Sequence, residues 1–186
     1  MTAEELWSLF PVILKEHNPQ YKCWFEEEKQ NILNVVNRNE IVRINHIGSS
    51  AVAGLVSKPT IDILVEIDGC CDVTTLIKTL NESGWGIMQQ ESDPMKIKFC
   101  KGYTSDGFSE KVYHLHVGYY GDWSELYFRD YLIDNPNVAA EYGKIKLSLF
   151  EKLEHDRDAY TKAKSEFVVK CSNAAKQEYH NRYKPR

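Results

Sequence analysis

The stretch Asn45–Ile67, NHIGSSAVAGLVSKPTIDILVEI, gathers a glycine-serine turn, a lysine and a carboxylate around one strand-like run. Gly48 lacks a side chain, so backbone amides at this turn can approach a ligand, and the Ser49 and Ser50 hydroxyls can donate to phosphate oxygens. Lys58 precedes the run as a point charge for an anion. Within TIDILVEI, strand alternation sets Ile61, Ile63, Val65 and Ile67 on one face and Asp62, Leu64 and Glu66 on the other. A second run, KVYHLHVGYY, alternates in the same way. It sets Tyr113, Leu115 and Val117 against His114, His116 and Gly118.

If the two runs are neighbours with polar faces matched, Asp62, His114 and His116 converge as a candidate catalytic group and ligand set for a divalent ion. Magnesium or manganese is expected, and the imidazoles keep zinc open. Phosphoryl transfer relies on charge neutralisation and positioning more than on covalent chemistry, which suits a turn, a cation and a carboxylate placed together. Each member alone has a plainer reading: a half-exposed polar strand face, an ordinary turn, a solvated lysine.

Three more candidates lie in the carboxy-terminal third, with Tyr160 beside them. Arg129, in LYFRDYL, can grip an anion bidentately or pair with Asp130 or Asp134 on its own helix. Tyr142 and Lys146, like Tyr160 and Lys164, stand four apart and share helix faces. Lys146, Tyr160 and Lys164 therefore line an anion pocket, or the lysines simply lie over aromatic rings.

These residues need a scaffold, and the pattern predicts a mixed α+β one. Asn18-Pro19 marks a helix start, with Trp24, Phe25, Ile32, Val35 and Val36 at helical spacing. EIVRINHI and TIDILVEI read as strands on either side of the Gly48 turn. A helix follows from Asp72 to Ser83, then three strands, WGIMQQ, MKIKFCK and KVYHLHVGYY, the last two separated by a GYTSDGFSE loop. From Asp122, with Glu125 three residues on as in a capping box, the remainder to about Tyr179 reads as two or three helices, and the tail NRYKPR as frayed. The expected organisation is one domain over 186 residues, with a sheet region at about 18–121 and a helical region at about 122–180.

Composition narrows the partners. With 42% hydrophobic and 27% charged residues and a net charge of -4, the chain suits a globular enzyme or binding module and not a surface that coats extended nucleic acid. No run approaches the roughly 20 apolar residues that span a bilayer, and the amino terminus has acids where a signal peptide has bases, so a cytoplasmic location is expected. Five cysteines without Cys-x-x-Cys spacing argue against a disulfide framework or a structural zinc site.

The run HIGSSAVAGLVSKPTIDILVEI, followed in order by YHLHV, LYFRDYLIDNP, YGKIKLSL and DRDAYTKAKSEFV, resembles the GrpB-like family from about Tyr21 to Val169. That family is placed in the nucleotidyltransferase superfamily of DNA polymerase beta type. The resemblance implies a small mixed sheet with helices packed on it, Gly48-Ser49 at the superfamily's Gly-Ser position, and Asp62 as first metal carboxylate. The chain departs from the pattern at Leu64, where the superfamily usually has a second acid, and at Ala53, where the family often has proline. Glu66 lies one strand repeat too far to reach the site well.

Two functions from different classes follow. One is a nucleotidyltransferase-like enzyme taking a nucleoside triphosphate or other phosphorylated small molecule with a divalent metal. The other is a non-catalytic nucleotide- or coenzyme-binding accessory module with a degenerate metal site. A His-x-His-x-His nucleotide hydrolase fails because its nucleophile would fall at Gly118.

Overall fold

The computed structural model describes residues 9–185. The amino-terminal stretch read against a signal peptide begins in residues 1–8, outside the described residues. Five strands form one mixed sheet in the order β1-β2-β5-β4-β3: β1 (Ile41–Ile47), β2 (Thr60–Ile67), β3 (Gly86–Ser92), β4 (Met95–Thr104) and β5 (Gly107–Tyr119). The β2–β5 pairing is parallel and the others are antiparallel. Helices α1 (Tyr21–Val35) and α2 (Val73–Glu82) accompany the sheet; α3 (Ser124–Asp134), α4 (Pro136–Leu153), α5 (Arg157–Ala163) and α6 (Ser165–Glu178) follow it.

The alternation in β2 and β5 decides which face each helix covers. Ile61, Ile63, Val65 and Ile67 join Tyr113, Leu115 and Val117 in the main core, beneath Tyr21, Phe25 and Ile32 of α1 and Leu76 and Leu80 of α2. A fully buried residue such as Leu115 contributes roughly 1.5–3 kcal/mol relative to exposure. Asp72 starts α2 by accepting from the Thr74 and Thr75 amides at 3.1 and 3.2 Å. The opposite face is also covered, since Leu64 of β2 and Ile47 of β1 pack against Leu126 of α3. A further cluster joins Val52 and Leu55 of the connecting loop to Phe128, Leu132, Tyr142 and Cys171 of the helical layer.

Three local expectations are corrected. The GYTSDGFSE loop is mostly a β4–β5 hairpin, tightened where the Thr104 hydroxyl donates to the Gly107 carbonyl at 2.8 Å. Trp123, not Asp122, precedes α3; Asp122 instead accepts from the Tyr127 hydroxyl at 2.6 Å and from Lys176 at 3.1 Å. The tail is tied down: Arg182 and Tyr183 both bond Asp130, and the Tyr183 ring meets Tyr127 edge-on at 5.0 Å. No helix among the described residues is long and apolar enough to cross a membrane.

Candidate anion-binding site

Parallel pairing of β2 with β5 sets Asp62 opposite His114 and Leu64 opposite His116. Asp62 Oδ1 lies 3.3 Å from His114 Nδ1 and 3.5 Å from His116 Nε2. Tyr103 of β4 continues the chain, its hydroxyl 2.8 Å from His114 Nε2 and accepting from Arg157 at 3.1 Å. An arginine only donates, so the Tyr103 proton is free to point at Nε2, which leaves the imidazole proton on Nδ1, aimed at Asp62. Burial holds His114 below its ordinary pKa. For Asp62, burial pushes the pKa upward, but the hydrogen bonds from His114 and His116 outweigh it and keep the carboxylate ionised well below its usual range.

The turn before β2 packs directly on this carboxylate. Gly48 has φ +71° and ψ -172°, a conformation essentially reserved for glycine, and a Cβ there would stand 2.6 Å from Asp62 Oδ2. A cleft of about 310 Å³ opens above, lined by Gly48, Asp62 and His116 from the sheet side and by Glu125, Phe128 and Asn173 from α3 and α6.

Cations crowd the same acid. Lys58 and Lys164 stand 4.8 and 4.3 Å from the centre of the Tyr160 ring. Tyr160 is fully buried, and its hydroxyl has no hydrogen-bond partner among the described residues. Lys146, only 2% exposed, reaches Ser49 Oγ at 3.0 Å, the Val56 carbonyl, and the Tyr142 ring at 4.6 Å. Among the described residues, none of Lys58, Lys98, Lys146, Arg157 and Lys164 forms an ion pair with a carboxylate.

Burial without an ion pair lowers Lys58, Lys146 and Lys164. Lys58 falls to about 7 through burial and then the charges of Lys164 and Arg157, with Asp62 opposing. Lys146 falls to about 7 through burial and Lys164, and Lys164 to about 8 through burial. The sign of the resulting pH dependence follows. From about pH 7 up to the ordinary lysine value of 10.5, the unfolded chain binds protons that the folded one has released, so stability rises with pH across that window. For Lys146 the slope is about 1.4 kcal/mol per pH unit. Denaturant midpoints of the ligand-free chain should therefore increase from pH 7 to 9, and Lys146→Met should flatten the rise.

The expected site residues do not all face this cleft. Of them, Gly48, Asp62 and His116 line it. His114 stands behind Asp62, and Lys58 and Lys164 act on the Asp62 charge from beside it, with Lys58 lining a separate small pocket together with Arg157. Lys146 and Tyr160 are buried, Lys146 against Ser49. Ser50 is 2% exposed, with its hydroxyl 3.1 Å from His46 Nε2, so it supports the turn from inside. Arg129 was expected to meet an anion, but its donors are engaged by Asp130, Asn45 Oδ1, the His46 carbonyl and the Tyr183 hydroxyl, which makes it a clamp between β1, α3 and the tail. Glu66 is fully buried and grips Arg43 through two bonds of 2.6 Å.

Sequence reading missed Lys98, Tyr103 and Arg157. Lys98 had a signal: in MKIKFCK, alternation separates it from Ile97 and Phe99 and puts it opposite His116 once β4 and β5 pair. Arg157 had none, because it stands at the start of α5, 95 positions beyond Asp62.

The donor set limits a metal. Two-ion nucleotidyl transfer needs carboxylates that bridge both ions, and Leu64 at the second position is fully buried. Both ring nitrogens of His114 are already engaged. Among the described residues, no group of three His, Cys, Asp or Glu side chains is arranged to hold an ion. Asp62 and His116 suit at most one divalent ion that takes its other ligands from phosphate oxygens, as magnesium often does.

A mixed sheet bearing a Gly-Ser turn beside a strand aspartate, with helices packed across it, is a nucleotidyltransferase-like α+β fold. A Cid1 poly(U) polymerase solved with MgGTP shares that fold alone: 12% identity and TM-score 0.50, over 81% of this chain and 47% of that one. More narrowly, the chain belongs to the GrpB family, whose pattern, described as GrpB protein, matches residues 11–174. It is 36% identical to the glutamate-rich protein GrpB of Alkalihalophilus pseudofirmus over 87% of this chain and 94% of that protein. It is 31% identical to a UPF0157 protein of Halalkalibacterium halodurans, over 88% and 82% of the two chains. The crystal structure of GrpB from Enterococcus faecalis superposes with TM-score 0.79 and 28% identity, over 90% of this chain and 99% of that one.

Proposed function

We propose that the chain binds a nucleoside triphosphate or a similarly polyanionic phosphorylated molecule over the Asp62 cleft. The observation that carries this reading is the group of five basic side chains without carboxylate partners among the described residues, four of them drawn from the loop before β2, from α4, from α5 and from the junction between α5 and α6. Burying cations without counter-ions costs free energy, and a fold keeps such an arrangement where an anion offsets it. Lys58, Lys164 and Arg157 would take phosphate charge, and the Gly48-Ser49 turn would present amides and a hydroxyl. Asp62 with His116 would hold one divalent ion against the same phosphates, and that ion would neutralise further charge. With one carboxylate where two-ion chemistry needs more, tight binding is favoured over rapid nucleotidyl transfer to a free acceptor.

Lys58→Ala and Lys164→Ala should each weaken triphosphate binding by roughly 10-fold, as expected for a lost hydrogen bond to a charged group. Calorimetric titrations at low salt would measure this. Unchanged affinity in both variants, or no binding of triphosphate or pyrophosphate by the parent chain, would remove the reading.

A further inference from the structure

The contact between Lys146 and Ser49 carries more than anion binding requires. Lys146 is 2% exposed, its Nζ is 3.0 Å from Ser49 Oγ and bonded to the Val56 carbonyl, and no carboxylate among the described residues pairs with it. A neutral amine is well matched to these two partners: one N–H donates to the carbonyl, and the lone pair accepts the serine proton. Burial that brings Lys146 to about 7 makes that neutral form accessible near neutrality. Ser49 is half-buried, opens the short helical turn Ser49–Ala51, and follows Gly48, which packs on Asp62. Ser49 also faces the Tyr142 hydroxyl, which burial keeps protonated and so unable to act as a base. A serine hydroxyl whose one available base is a buried lysine is the constellation of a lysine-activated nucleophile.

We propose that Ser49 is a nucleophile with Lys146 as its general base, and that it accepts the terminal phosphoryl group of a bound nucleoside triphosphate. The Ser49 proton passes to Lys146 Nζ as the bond from Oγ to the terminal phosphorus forms. The bond from that phosphorus to the bridging oxygen breaks, and its electron pair leaves on the nucleoside diphosphate, whose charge Lys58 and Lys164 offset. The product is phosphoserine at Ser49 and a free diphosphate. This step rests on the triphosphate-binding reading above.

The test incubates the full chain with magnesium and a triphosphate labelled on its terminal phosphate, and in parallel with one labelled on its innermost phosphate. Peptide mapping locates the label, and calorimetry on the same protein measures triphosphate binding. Terminal label on the Ser49 peptide is expected, with none from the innermost phosphate and none in Ser49→Ala. Lys146→Gln should slow labelling by about 100-fold or more, the lower range for loss of a general base. Should that variant fail to fold, the parent's labelling rate against pH serves instead, and it should rise through about pH 7 and level off. Triphosphate binding without label at Ser49, label elsewhere, innermost-phosphate label, labelling by Lys146→Gln at the parental rate, or a parental rate flat across pH 6 to 9 would each overturn the proposal and leave the binding reading standing. Absence of triphosphate binding would overturn both.

Discussion

Asp62→Asn is expected to abolish the gain in triphosphate affinity that magnesium or manganese gives, while metal-free binding stays equal or tightens. Asparagine keeps the shape and one oxygen acceptor, so the proton on His114 Nδ1 still has a partner at the 3.3 Å position. What disappears is the negative charge. In the parent chain that charge would serve a divalent ion but would also repel a bare triphosphate, which the surrounding lysines would attract. Its removal therefore separates two contributions that act together. Loss of neighbours that merely orient a metal ligand costs 10–100-fold in metal affinity, so loss of the carboxylate itself should cost at least about 100-fold. The variant should still fold cooperatively near neutral pH. The parent has an advantage there from the depressed Asp62 pKa, fully present above the ordinary value of 3.8 and lost as acid protonates the folded carboxylate. Titrations with and without manganese read both terms, and an equal manganese increment in the two proteins would remove the ion from the site.

Leu64→Asp has the second large effect, and it runs against the simplest reading of the strand. Sequence alone presents Leu64 as a lost ligand that an aspartate would restore. The side chain is fully buried between Ile47 of β1 and Leu126 of α3. An aspartate there would place an unpaired carboxylate in an apolar cluster, at a cost of about 3–5 kcal/mol, as when a buried pair loses one partner. With native stabilities of about 5–15 kcal/mol, that is a large fraction of the total. The expected outcome is a chain that unfolds at much lower denaturant without a gain in metal affinity. Native-like stability together with tighter manganese binding would show that the helix over Leu64 moves aside and the position is a latent ligand site.

The contrast between Asp62 and Leu64 shows what the sequence made legible. Period-two alternation in TIDILVEI and KVYHLHVGYY specified which residues share a face, and that was enough to bring Asp62 to His114 and His116 once the strands paired. Alternation says nothing about what lies over a face. Leu64 is sealed because α3, some 60 positions later, lands on it. Arg129 misled for a related reason: on its own helix it has only Asp130 and Asp134 as neighbours, whereas the fold adds Asn45 and Tyr183 and uses up its donors. The four-residue spacing of Tyr142 with Lys146 and Tyr160 with Lys164 did predict rings beneath lysines. That Lys58 joins Lys164 over one ring depends on chain closure across about 100 residues, which no local pattern carries.

Proton uptake on binding tests the lysine cluster most directly. Calorimetric titration of a nucleoside triphosphate at pH 8, repeated in two buffers of different ionisation enthalpy, counts the protons that enter with the ligand. Phosphate charge beside Lys58 and Lys164 should return their pKa values from about 7 and about 8 toward 10.5. At least about one proton should then be taken up per triphosphate at pH 8, falling toward zero at pH 6, where the lysines already carry theirs. Binding without proton uptake at pH 8, or no binding at either pH, would contradict an anion site built on these lysines.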